Sequence, residues 1–111
     1  MRKIILGLIV LCFSYFANGQ ERVLFDSLKI DNDIAYYKSN LFTGIAFSKY
    51  DNGQLEREAN YKDGKYDGVY KRWYDNGQLD LEYNYKDGKK DGDIISEKCW
   101  DEEGNEIDCP D

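Results

Sequence analysis

GIAFSKYDNGQLEREANYKDGK, Gly44 through Lys65, is written again 24 residues on as GVYKRWYDNGQLDLEYNYKDGK, Gly68 through Lys89. Self-similarity at a fixed short period marks one supersecondary unit that cannot bury its apolar face alone and is stacked in copies. Asp51-Asn52-Gly53-Gln54-Leu55 becomes Asp75-Asn76-Gly77-Gln78-Leu79, and Asn60 through Lys65 returns unchanged as Asn84 through Lys89. A third, degenerate copy starts at Asp91-Gly92, takes inserted residues, and carries Trp100-Asp101-Glu102-Glu103-Gly104 where its predecessors carry Tyr-Asp-Asn-Gly. Terminal repeats are characteristically atypical in this way.

Each unit contains two turn signals. Asn52-Gly53, Asp63-Gly64, Asn76-Gly77 and Asp87-Gly88 stand between alternating sequences, and such dipeptides supply the positive φ that a two-residue type I′ hairpin needs at both positions. Turns this close leave room for strands of about seven residues. The predicted fold is therefore all-β, a single antiparallel β-meander of hairpin repeats with no helix in the mature chain. With two-residue turns, opposite positions in the second hairpin pair Tyr74 with Leu79, Arg72 with Leu81 and Tyr70 with Tyr83 on one face. The other face then takes Lys71 opposite Glu82 and Trp73 opposite Asp80. The same count sets Gly44 opposite Tyr61 and Gly68 opposite Tyr85, a placement in which a ring covers a strand glycine. A turn one residue longer would exchange the faces.

Ahead of the repeats, Val23–Ile30, the turn-like Asp31-Asn32-Asp33 and Ile34–Lys38 read as a further hairpin that caps the open sheet edge, with Ser39-Asn40 as the link. The first 19 residues read as a secretory signal: Arg2 and Lys3, an apolar run from Ile4 to Phe16, and Ala17-Asn18-Gly19 before a cleavage site at Gln20. An uncleaved anchor is the competing reading, but a run of about 13 residues falls short of the roughly 20 that span a bilayer. A lipid on Cys12 is disfavoured by the bulky Leu11 before it. The predicted organisation is a signal peptide over 1–19, a capping hairpin over 20–40, and repeats over 41–65, 66–89 and 90–111. The expected destination is outside the cytoplasm, in the periplasm, in the envelope or secreted, with no membrane insertion after cleavage.

Cleavage removes Arg2 and Lys3 and no acid, leaving 13 basic against 22 acidic side chains, a net charge of −9. That sign repels a phosphate backbone, and no basic stripe offsets it, so nucleic acid is an unfavoured partner. About 92 residues form one small domain in need of a staple. Cys99 and Cys109, an even pair in an exported protein, are expected to supply it as a disulfide; two reduced thiols on a frayed end are the alternative. They sit symmetrically about Gly104 and face one another if the loop between them holds an odd number of residues. Two thiols in a chain without histidine leave a zinc tetrahedron incomplete. No cofactor is expected.

An aromatic before Asn-Gly-Gln-Leu, a polar strand, then Asn-Tyr-Lys-Asp-Gly-Lys and Asp-Gly resembles the variant MORN repeat over residues 41 to about 107. Phe42-Thr43-Gly44 followed by Tyr50 through Leu55 resembles the opening copy of bacterial YwqK-type toxin–antitoxin antitoxin proteins. The resemblance implies a single-layer or half-barrel antiparallel sheet, no catalytic residues, and a protein partner. An export signal on such a chain points to immunity against a toxin met in the envelope.

The residues themselves offer little chemistry. The chain has no histidine, and Ser27, Ser39, Ser48 and Ser96 are scattered without a base partner. Glu56 with Glu58, or Asp80 with Glu82, could only form a carboxylate pair, which on a strand is ordinarily solvated surface. The acidic end, Asp101 through Glu106 with Asp108, has oxygen ligands suited to calcium but not the spacing of an EF-hand loop. The binding candidate is an aromatic face: Tyr50, Leu55, Arg57, Tyr61, Tyr70, Arg72, Tyr74, Leu79, Leu81, Tyr83 and Tyr85. Tyrosine and arginine are enriched at interface hot spots. The plainer reading makes the same stripe the sheet's own core, with the arginines reaching out along it. A sugar stacked on the rings is a further option. The sequence thus predicts a non-enzymatic interaction module or scaffold. An antitoxin is the alternative, and a self-associating envelope module joined through sheet edges is the second.

Overall fold

The computed structural model describes residues 21–90 and 96–110. The predicted signal peptide and the predicted start of the third copy at Asp91-Gly92 lie outside the described residues. In chain order the strands are β1 (Arg22–Leu24), β2 (Lys29–Asp31), β3 (Ile34–Tyr37), β4 (Asn40–Leu41), β5 (Gly44–Lys49), β6 (Leu55–Lys62), β7 (Lys65–Trp73), β8 (Leu79–Lys86), β9 (Lys89–Lys90), β10 (Glu97–Trp100) and β11 (Glu106–Ile107). The molecule is all-β, with a 3-10 turn at Phe25–Ser27.

The expectation of one antiparallel sheet needs correction. The described strands form two sheets, the larger in the order β1-β5-β6-β7-β8-β10-β11 with β9 on β8, the smaller in the order β2-β3-β4. The strand β1 runs parallel to β5. After Leu24 the chain turns, with Leu28 N–H donating to Phe25 O at 3.0 Å, so Val23–Ile30 is not one strand. The small sheet then folds on two tight turns with positive φ, Asn32-Asp33 and Lys38-Ser39. Lys38-Ser39 is thus a hairpin turn and Asn40 already belongs to β4, where a simple link was predicted.

Both kinds of turn in the repeat are hairpins, but they differ. Asp63-Gly64 and Asp87-Gly88 have positive φ at both residues, the two-residue type I′ geometry expected. At Asn52-Gly53 and Asn76-Gly77 only the glycine is left-handed. There Tyr50 N–H donates to Gln54 O and Gly53 N–H to Tyr50 O, with Tyr74, Gln78 and Gly77 repeating the pattern. These are three-residue loops closed by a glycine bulge. The predicted pairs Tyr74–Leu79 and Trp73–Asp80 are accordingly replaced by Trp73 opposite Leu79, and the register regains the predicted one at Arg72 opposite Leu81 by leaving Asp80 unpaired. The first hairpin does the same, leaving Glu56 unpaired between Leu55 and Arg57. Because each bulge lies next to its loop, the faces in mid-strand remain as predicted.

The loops also tie one repeat to the next. The Tyr50 hydroxyl donates to Trp73 O at 2.6 Å and the Tyr74 hydroxyl to Trp100 O at 2.7 Å. Asn52 Nδ2 donates to Asp75 O and Asn76 Nδ2 to Glu102 O, while each asparagine Oδ1 accepts the backbone N–H two residues on.

The core lies on one face of the large sheet. Val23, Ala46, Ala59, Tyr70, Tyr83 and Glu97 form one cross-strand row, and Ala46 and Ala59 are fully buried. Alanine at both positions leaves room for larger groups to descend: Phe42, 2% exposed, and Tyr61, 7% exposed, fill it with Val23 and Ala35. Three backbone bonds hold the small sheet over this end, Ala35 N–H to Gly64 O, Gly64 N–H to Phe42 O and Phe42 N–H to Ala35 O.

Glycine covering also differs from expectation. Gly44 faces Tyr61 and Gly68 faces Tyr85 across the ladder, yet the Phe42 ring and Glu21 O crowd Gly44 and Asn60 stands beside Gly68. The two tyrosine rings turn instead toward each other through a third ring.

Candidate functional site

That third ring is Tyr66, the second residue of β7, just after the Asp63-Gly64 turn. Its centroid lies 4.9 Å from Tyr61, 4.8 Å from Tyr85 and 5.5 Å from Tyr70. Tyr70 continues to Tyr83 at 6.4 Å with rings 24° apart, and Tyr83 lies 6.4 Å from Tyr85. Ring pairs at these separations each contribute roughly 0.5–1.5 kcal/mol beyond area burial. Five tyrosines thus form one contiguous surface across three strands. A two-residue bulge makes it: between Ala59 opposite Tyr70 and Tyr61 opposite Tyr66, β7 carries three residues against Asn60 alone, and Asn60 Nδ2 seals the gap by donating to Val69 O.

One end of this surface is core and the other is not. Tyr61 is buried against Phe42 and Phe25, whereas Tyr66, Tyr70, Tyr83 and Tyr85 are only half-buried. A groove of about 630 Å³ runs between the β2–β3 turn and the ladder, floored by Phe25, Tyr61, Tyr66 and Tyr85. A second of about 420 Å³ shares Tyr66 and Tyr85 and continues over Tyr70 and Tyr83 to Leu81, Cys99 and Pro110.

The predicted site residues divide accordingly. Tyr61, Tyr70, Tyr83, Tyr85, Arg57, Arg72 and Leu81 share the tyrosine face, Leu81 buried beneath it. Tyr50 and Tyr74 are loop staples. The bulges send Leu55 and Leu79 to the other face, Leu79 opposite Trp73 and Leu55 beside Trp73 and Phe47. Tyr66, Phe25 and Phe42 were missed. Tyr66 keeps the period-two alternation of Tyr70 and faces Tyr61 across the Asp63-Gly64 turn, so alternation was the signal that could have found it.

Arg57 and Arg72 stand directly opposite one another, an arrangement in which like charges repel. Their heads diverge: the Arg57 guanidinium lies 3.9 Å above the Phe25 ring, and Arg72 Nε donates to Asp80 Oδ2 at 2.8 Å. For Arg72 desolvation acts to lower the pKa, but the bond and charge of Asp80 outweigh it and raise it. At the far end Lys90 sits over Tyr83 at 4.4 Å and pairs with Glu97 at 2.6 Å. Burial, and after it Tyr66, pushes the Tyr61 phenol far above its ordinary range, and the same two causes raise Tyr85. Tyr61 and Tyr85 therefore keep neutral hydroxyls at physiological pH.

The carboxylates considered for chemistry are largely engaged. Glu56 accepts from Ser48 Oγ, Glu58 pairs with Arg22 at 2.9 Å, and Asp80 holds Arg72. In the acidic end Asp101 accepts the backbone N–H of Glu103 and of Asn105 and the Asn105 side chain. Among the described residues no cluster of three His, Cys, Asp or Glu side chains could hold a metal ion. Cys99 and Cys109 are joined by a disulfide with Cα atoms 5.1 Å apart. They are not cross-strand partners: the loop over Glu102–Gly104 does hold an odd number of residues, but it sets Ile107 opposite Cys99, and Cys109 reaches the bridge from beyond β11.

No curated protein and no solved structure matches the chain. Residues 42–63 and 66–87, which span the two full hairpin units, each match the family described as MORN repeat variant.

Proposed function

We propose that this is an exported, non-enzymatic interaction module that grips a protein partner with the half-buried end of its tyrosine ladder. The observation that carries the reading is the contiguity of Tyr66, Tyr70, Tyr83 and Tyr85 beneath two grooves that share Tyr66 and Tyr85. Rigid amphipathic tyrosine rings supply contact area and hydrogen bonds at low entropic cost. MORN-type repeats commonly serve as interaction modules, which supports the same reading. Affinity capture of the tagged chain from its native envelope tests it. A Tyr70→Ala/Tyr83→Ala variant should lose a specific partner while keeping its β-sheet circular dichroism, and a Lys71→Ala/Glu82→Ala variant on the opposite face should retain it. Loss of the partner from both variants, or from neither, would remove the tyrosine face from consideration.

A toxin as that partner is the second reading, carried by the resemblance of Phe42-Thr43-Gly44 and Tyr50 through Leu55 to YwqK-type antitoxins. The identity of the captured protein decides between neutraliser and scaffold. End-to-end growth is less supported, because the third loop puts Asp101 where Tyr50 and Tyr74 reach forward, and Asp101 bonds to its own turn.

A further inference from the structure

The larger groove carries charges that its aromatic floor does not require. Arg57, Lys65 and Lys89 line it together with Asp33 and Asp87, so within a chain with a large excess of acid this groove carries a local excess of one base. Among the described residues none of the three cations is in an ion pair. Arg57 is half-buried, its guanidinium carbon 3.9 Å from the centre of the Phe25 ring, and no described side chain accepts from its guanidinium. A planar fork held over a ring and lacking an acceptor is preorganised for a carboxylate.

From this the geometry points to a short, extended acidic peptide segment of the partner as the occupant, with an Asp, Glu or terminal carboxylate on Arg57 and an apolar side chain on the rings of Tyr61, Tyr66 and Tyr85. This rests on the proposed role of the tyrosine face. The two aspartates favour a peptide over a simple anion, because Asp33 and Asp87 would repel a phosphate yet can accept backbone N–H groups. A volume of about 630 Å³ lies within the range of small-ligand clefts and accommodates a few residues. The acid elsewhere on the surface does not defeat this: at roughly 0.1 M salt, charges beyond about 10 Å are largely screened. They do confine an acidic segment to the groove, which gives specificity more than affinity.

The test is calorimetric titration of the full chain with the acetylated, amidated pentapeptide of sequence ELELE, beside its neutral counterpart QLQLQ. The acidic peptide should bind at least tenfold more tightly, and Arg57→Gln should weaken it at least tenfold while circular dichroism stays unchanged. Lys65→Gln and Lys89→Gln should each weaken it about threefold, and Lys71→Gln on the opposite face should have no effect. Equal affinity for both peptides, indifference to Arg57→Gln, or no binding of the acidic peptide at millimolar concentration would overturn the assignment. The wider reading is judged separately: partner capture lost in Tyr70→Ala/Tyr83→Ala but kept in Arg57→Gln would leave the tyrosine face standing and this occupant refuted.

Discussion

At Gly64 the backbone stands at φ +84, and a Cβ there would come within 2.7 Å of the Ile34 side chain and 3.0 Å of Ala35 O. At Gly53 φ is +89, but nothing lies within 4 Å of the added atom. The two glycines occupy equivalent-looking turns and bear different loads. Gly53→Ala should cost only the left-handed conformation, about 1 kcal/mol. Gly64→Ala adds overpacking against the small sheet and should cost about 3 kcal/mol. Urea midpoints of the two variants check both numbers, and equal costs would mean that the small sheet does not press on this turn. Tyr50 supplies a second residue-scale expectation. Its phenol is raised in pKa first by burial and then by Glu56, and its hydroxyl stays protonated to donate to Trp73 O. Tyr50→Phe should destabilise by about 1 kcal/mol without disturbing partner capture.

Among the elements, the last hairpin is the one built differently. Asp101 replaces the reaching tyrosine, and its carboxyl is held below the ordinary range, chiefly by the Asn105 backbone N–H and then by the Asn105 side chain. A depressed carboxylate contributes stability that is present above its unfolded pKa of about 3.8 and disappears as pH falls through the lower folded value. The described hairpin should therefore hold at pH 5 and loosen below about pH 4, as amide exchange over Glu103–Ile107 would record. Asp101→Asn should flatten that acid limb. The disulfide acts on the same element: opening it in Cys109→Ser should cost about 2–3 kcal/mol for a loop this short, seen as a lower urea midpoint.

For the whole molecule, the question is how an open sheet avoids its neighbours. At one edge β1 covers β5 through Phe47, and at the other β11 is two residues long and followed by a bridged Cys109 and Pro110. Short, blocked edges suppress pairing with other chains. The protein should run as a monomer in light scattering at high concentration. Val23→Asp, which places a charge in a 7% exposed core position, should release β1 and produce dimers or larger species. A monomeric Val23→Asp variant would show that β1 does not protect the edge.

The turn dipeptides and the 24-residue period sufficed to specify the hairpins, the repeat, and the mid-strand pairs such as Arg72 with Leu81 and Gly68 with Tyr85, because turn chemistry and alternation act over a few residues. Legible too were most members of the aromatic face, since Tyr70, Tyr83 and Tyr85 follow from register alone. Tyr66 shares the alternation of Tyr70 and faces Tyr61 across a two-residue turn, so it was legible although missed; what local signals did not show is the bulge at Asn60 that sets Tyr70 opposite Ala59. Nor could local signals settle that Asn52 and Asn76 stay right-handed, where each bonds its own turn and the next loop at once. The parallel β1, the small sheet roofing Tyr61, and the groove that sets Arg57 on Phe25 were decided by tertiary structure, because each joins segments whose meeting depends on long-range packing that no short pattern encodes.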